Sequence, residues 1–201
     1  MKKSLFFLNL LLFLCPLLSR GQNFHAGAFA GVSTSQISGD NLAGFDKAGL
    51  YVGAFVNMPS GEKWLLQLEI TYIQKGSRPS KNDKEAGFPG IYPSLNYAEV
   101  PLLFIYKARP KINIEGGLAA GVLVYSREED IFTEREILRP YSDFDFSLVI
   151  GLDYFLSEKF SINTRLVNSF IPIREHESGQ TYGLNRGQYN SVVAFTVRYH
   201  L

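Results

Sequence analysis

The chain is poor in the residues that usually carry chemistry. Its 201 residues include one cysteine, three histidines and one tryptophan, and the formal net charge is only +1. A lone cysteine cannot staple a fold through an internal disulfide. Near-neutral charge gives no electrostatic footprint for a nucleic-acid partner. The histidines, His25, His176 and His200, are scattered and lack the paired spacing of a metal site. His176 lies in Arg-Glu-His-Glu-Ser with Ser178 two residues on, but no second constellation accompanies it. The sequence therefore assigns no catalytic residue, metal ligand or cofactor. Beyond the first eighteen residues no apolar run approaches the ~20 residues that carry a helix across a bilayer. If the mature chain lies in a membrane, it must do so as a closed barrel, because open sheet edges cannot exist in lipid.

The N-terminus reads as a targeting segment. Lys2 and Lys3 precede an apolar stretch from Leu5 to Leu18, and Ser19-Arg20-Gly21 supplies small residues for cleavage. Cleavage after Gly21 divides the chain into a signal peptide, 1–21, and one domain, 22–201. It removes Lys2, Lys3 and Arg20, leaving 17 basic against 19 acidic residues, a balance of −2. Cys15 leaves as well. A lipoprotein reading of Cys15 lacks the small preceding residue that processing requires, and Pro16 follows it.

The chain is rich in Tyr (11), Phe (16) and Gly (18), a composition that favours strands and turns. Period-two alternation runs through eight segments. They are 23–35, 47–58, 63–75, 96–107, 111–126, 141–156, 160–171 and 188–201. The last stretch sets Tyr189, Val193, Phe195, Val197, Tyr199 and Leu201 on a greasy face, and Asn190, Thr196, Arg198 and His200 on the other. The first segment is small or apolar on both faces, so its facing is ambiguous. Pro101 cannot donate to a ladder and predicts a bulge or a locally missing bond. A helical turn is predicted around 134–138 within the charged loop 127–140.

The connections alternate long and short. With an even strand number, this is the pattern of an outer-membrane barrel with short periplasmic turns, long outer loops and periplasmic termini. The fold predicted is all-β: an eight-stranded antiparallel up-and-down transmembrane β-barrel. Aromatic residues mark its greasy faces in pairs: Trp64 with Tyr72, Phe144 with Tyr154, Phe160 with Phe170, and Tyr189 with Tyr199. A tilted strand covers ~25 Å in about ten residues, the height of the apolar band between two aromatic girdles.

Several stretches resemble the PorT-like outer-membrane β-barrel family. They are Gly27–Ser38, Leu66–Lys75 with Gln-x-Glu-x-x-Tyr-x-Gln-Lys, and Leu95–Leu103 with Asn-Tyr-x-Glu-Val-Pro-Leu. Asp145–Tyr154 and the terminal Phe-Thr-Val-Arg-Tyr fit the same pattern, whereas Leu201 departs from the usual terminal aromatic. The resemblance implies location in the outer membrane of a diderm bacterium. Some members of the family are linked to a protein-secretion and gliding apparatus.

The opposite faces carry the charge: Glu69, Glu99, Glu115, Asp143, Asp145 and Asp153, with Lys75, Lys107, Arg165 and Arg198 as partners. The lumen of an eight-stranded barrel holds only side chains, so these predict an interior charge network centred on Glu69, Glu99, Glu115, Asp145, Arg165 and Arg198. His25 and His200 are expected to cap it near the short-turn rim. The function predicted is a non-enzymatic scaffold or binding module working through loops 76–95, 127–140 and 173–187. Its partners would be outer-membrane lipids, the barrel-insertion machinery and an unknown protein held by the loops. The alternatives are a narrow channel or porin for small solutes, and a soluble lipocalin-like carrier with an apolar interior and polar exterior.

Overall fold

The structure is a computed structural model that describes residues 24–40, 42, 44–80, 91–130, 134–175 and 187–201. The expected signal peptide, His176 and Ser178 lie outside the described residues. The long strands are β1 (His25–Ser38), β2 (Lys47–Pro59), β3 (Trp64–Gly76), β4 (Tyr92–Arg109), β5 (Ile112–Glu129), β7 (Phe144–Phe155), β8 (Phe160–Ser169) and β10 (Gly187–His200). Two short ones, β6 (Glu134–Arg135) and β9 (Arg174–Glu175), pair with the upper ends of β5 and β10. The long strands pair antiparallel with their neighbours in order. The last strand returns to the first, from Gly27 opposite His200 to Ser38 opposite Tyr189. Closure leaves no long edge unpaired, the one arrangement by which a sheet can sit in lipid.

The alternation in sequence becomes an inside and an outside. Odd-numbered residues of β3 and β4, such as Gln67, Glu69, Tyr97, Glu99 and Leu103, are buried. Their even-numbered neighbours face outward, among them Ile70 at 72% exposure and Phe104 at 59%. Leu118 and Ile150 on β5 and β7 are likewise more than half exposed. An apolar belt of this size would drive aggregation in water and is at home in hydrocarbon. The interior instead buries charge, so the lipocalin-like alternative is inverted and falls. In β1 the ambiguous facing resolves with Phe29, Ser33, Ser35 and Ile37 buried and Ala28, Ala30 and Val32 outside.

Pro101 interrupts one ladder only. Pairing of β3 with β4 runs from Trp64–Tyr106 to Leu68–Leu102, stops, and resumes at Thr71–Glu99 in the same register. On its other side Pro101 stays opposite Ala119. The missing N–H therefore costs a local gap and not a bulge. Bulges occur elsewhere, at Asn96/Tyr97 and at Lys107/Arg109.

The first bulge corrects a sequence expectation. Leu123 faces Tyr97 and Tyr125 faces Asn96, leaving Val124 as an extra residue in β5. The alternation flips there, so Tyr125 is exposed instead of inward, and Glu128 is buried. No helical turn forms at 134–138. Two of those residues make β6 against Glu128 and Glu129, with a bend at Leu138–Arg139. β4 and β5 each run 18 residues, longer than the sequence pattern suggests, so their hairpin rises above the shorter β7 and β8.

Candidate functional site

The lumen is filled by two groups of charge. In the lower group Arg165, from β8, is fully buried. Its Nη1 and Nη2 each donate to a different oxygen of Glu69 at 2.7 Å, a fork-to-fork pair across the barrel. Its Nε donates to Glu115 Oε1, its Nη2 to Glu115 Oε2 at 3.1 Å, and its Nη1 to the Tyr51 hydroxyl at 2.8 Å. Planar guanidinium geometry suits this clamp in a way a lysine could not match. Arg198, from β10, adds Glu115 at 3.3 Å, Asp153 at 3.1 Å and Glu69 at 3.5 Å. Phe29 lies 5.7 Å from the Arg165 guanidinium and 5.4 Å from that of Arg198, and Phe55 lies 5.6 Å from Arg198. These rings give both cations an aromatic face.

The upper group centres on Lys75. Its Nζ is 2.6 Å from Glu99 and 2.9 Å from Asp145. Asp145 also accepts hydrogen bonds from Ser169 at 2.6 Å, Asn190 at 2.9 Å and Ser147 at 3.2 Å. Glycines make room for these side chains. A methyl added at Gly151 would lie 2.9 Å from Arg165 Cγ, and one at Gly121 would lie 3.0 Å from Glu99 Cγ.

Glu69, Glu115, Arg165 and Arg198, joined by Asp153, thus meet in one lumenal group, while Glu99 and Asp145 meet in a second around Lys75. Asp143 and Lys107 do not join them: both are exposed, Asp143 ahead of β7 and Lys107 at the foot of β4, opposite Asn113. His25 is exposed. His200 Nε2 sits 2.9 Å from the Ser161 hydroxyl, with its ring between Phe55 and Phe155. No carboxylate is bonded to the other His200 nitrogen among the described residues, and Ser161 is fully buried. The pair lies at the foot of β8 and β10, at the lower end of the lumen. No group of three or more metal-binding side chains occurs among the described residues.

Sequence reasoning missed a third cluster, at the upper rim. Glu128 accepts hydrogen bonds from the Tyr141 hydroxyl at 2.7 Å and from Arg174, whose guanidinium lies 3.7 Å from the Tyr141 ring centre. Burial pushes the Tyr141 phenol up and Arg174 opposes it, while its bond to Glu128 raises it further. The cluster ties the segment before β7 and the one around β9 to the β5 tip. Its signal was hidden because Glu128 turns inward only through the Val124 bulge.

On the outside, aromatic residues line up at both ends. At the lower end Trp64 packs on Tyr106 at 4.8 Å and Phe160 on Tyr199 at 5.2 Å, with Tyr154 nearby on β7. Toward the upper end stand Tyr72 on β3, Phe144 at the start of β7, Phe170 just past β8 and Tyr189 near the start of β10.

The architecture is shared with solved structures. Ail, the attachment invasion locus protein of Yersinia pestis, superposes with a TM-score of 0.53 at 10% identity, covering 88% of this chain and 98% of Ail. A structure of Ail with the heparin analogue sucrose octasulfate gives 0.50 at 12% identity over 89% and 99% of the two chains. Neisserial surface protein A gives 0.50 at 10% identity over 88% and 96%. At such identities the likeness shows the fold alone. No curated protein matches the sequence. The family model described as the outer membrane protein beta-barrel domain matches residues 19–175. With its closed eight-stranded wall, apolar outside and charged inside, the chain belongs to the outer membrane protein beta-barrel domain family.

Proposed function

We propose that this outer-membrane barrel is a non-enzymatic scaffold or binding module that works through its ends, not through its lumen. The observation that carries this reading is the interior clamp. Arg165, Lys75 and Arg198 reach across the lumen with side chains 0–1% exposed. Each is held by at least two carboxylates. A pore would need these pairs broken, which is costly in a low-dielectric interior. The two aromatic tiers act as girdles at the membrane surfaces. Residues 1–21 serve as a cleaved export signal. The end with short turns faces the periplasm and the long loops face outward, by the general rule for such barrels.

On this reading loops 76–95, 127–140 and 173–187 hold an unknown protein partner. The PorT-like resemblance supports a place beside a secretion apparatus. That Ail is in complex with a heparin analogue offers a precedent for ligand binding by a small barrel. Planar-bilayer recording of the purified protein tests the reading, with no steady ion-selective openings expected. Such openings would favour the narrow channel. Six buried carboxylates, Glu128 at the rim among them, against three buried cations, Lys75, Arg165 and Arg198, make cation selectivity the specific expectation of that alternative.

A further inference from the structure

Beyond the signal segment, the chain's charges fall into three sets, and none is on the lipid-facing wall. The lumen holds Glu69, Glu99, Glu115, Asp145 and Asp153 against Lys75, Arg165 and Arg198. The long connections, with the strand ends beside them, together hold twelve acids against nine bases. The short turns are the reverse: Lys63, Lys107, Arg109, Lys111 and Lys159 face only Glu62 and Glu158. All five cations are exposed, and none has an ion pair among the described residues.

Three of them share a cavity of about 410 Å³, lined by Lys63, Lys107 and Arg109 together with Asn113 and Phe155. Two hydrogen bonds hold its walls. The Lys107 amide donates to the Lys63 carbonyl at 2.8 Å, and the Phe155 amide donates to the Lys111 carbonyl at 2.9 Å. The bulge between Lys107 and Arg109 bends the foot of β4, so both side chains border the same cleft.

We propose that this mouth is a docking cleft for an acidic peptide segment of a partner protein, with Lys63, Lys107 and Arg109 pairing with its carboxylates. The volume lies in the range of organic ligand sites and exceeds what one inorganic anion fills. Lysine ammoniums on two turns are separate point charges, suited to carboxylates spaced along a chain. Asn113 lies on an inward-facing position, so the cleft opens into the mouth of the lumen and not toward the acyl chains. The buried acids above repel an anion and hold it at the rim. Under the orientation proposed above the partner is periplasmic, but binding itself does not depend on that orientation.

The test uses the full protein in phosphatidylcholine nanodiscs and fluorescein-labelled hexaglutamate, read by anisotropy at low ionic strength. Heat-modifiable migration confirms that each variant is folded. Lys63→Gln/Lys107→Gln should weaken binding by about tenfold. Lys111→Gln/Lys159→Gln, an equal change in net charge, should weaken it less than about threefold. Equal losses in the two variants would reduce the effect to the general field of the rim and overturn the proposal. So would absence of binding, or equal competition by inorganic phosphate. Displacement of the peptide by phosphatidylglycerol in the disc would assign the cleft to lipid headgroups instead.

Discussion

Replacing Arg165 by methionine is the sharpest perturbation of the interior. Among the described residues the guanidinium is the one group that binds both oxygens of Glu69, each at 2.7 Å. Its loss leaves Glu69 with Arg198 at 3.5 Å and the neighbouring Gln67 amide. Glu115 would keep Arg198 at 3.3 Å and Asn163 at 2.9 Å. The Tyr51 hydroxyl would lose the donor 2.8 Å away. Removing one partner of a buried pair costs about 3–5 kcal/mol, most of it from the charge left behind. With a urea slope of about 2–3 kcal/mol/M, a loss of about 4 kcal/mol lowers the unfolding midpoint by about 1.3–2 M. The assay is urea titration in liposomes, read by the gel shift of unheated samples. If orphaned carboxylates are the cause, the triple variant R165M/E69Q/E115Q should recover at least half of the loss. A single variant within about 0.3 M of the parent midpoint, or a triple variant no better than the single, would refute the reasoning.

Further expectations can be measured in the same system. Arginine at Leu118 or Ile150, both on the lipid-facing wall, should cost about 2–4 kcal/mol at mid-bilayer, seen as a lower urea midpoint in liposomes. Gly151→Ala should cost about 1–3 kcal/mol by overpacking, because the new methyl meets Arg165 Cγ at 2.9 Å. Tyr141→Phe should cost about 1–3 kcal/mol by leaving Glu128 short of a donor, read as faster proteolysis within 136–143. The raised phenol of Tyr141 favours the folded state below the ordinary tyrosine pKa of about 10. That contribution is lost as pH rises through the folded value, so the proteolytic difference between parent and variant should shrink only in strong alkali.

What could be read in the sequence was what a period of two carries. The facing of β2, β3, β7, β8 and β10 follows from alternation alone, because one face is nearly free of charge. Most lumenal acids and their arginines sit on inward positions for the same reason. Three features could not be read. Facing in β1 was ambiguous because Gly27, Ala28, Ala30 and Gly31 carry no strong preference; the partner strands decide it. The Val124 bulge has no sequence mark, so Tyr125 was assigned to the wrong side, and the Glu128 cluster above it went unseen within the expected loop 127–140. Strand ends were also beyond reach. Asp143 and Lys107 keep the alternation in sequence but fall past the level at which the wall encloses them. Which acid meets which base depends on register across the barrel, and no local pattern encodes that.

The position of Arg198 on the closing strand has a consequence for assembly. Until β10 docks, the lower lumen holds Glu69, Glu115 and Asp153 with Arg165 as their single cation. An unclosed sheet would therefore carry an unbalanced acidic groove, poorly suited to leave water. Docking of the final strand against β1 and β8 delivers the second guanidinium at the moment the wall seals. Charge compensation and closure become one event. The strand that closes the barrel thus decides whether the interior can be dehydrated, and a sheet lacking that strand would be held back from the membrane by its own charge.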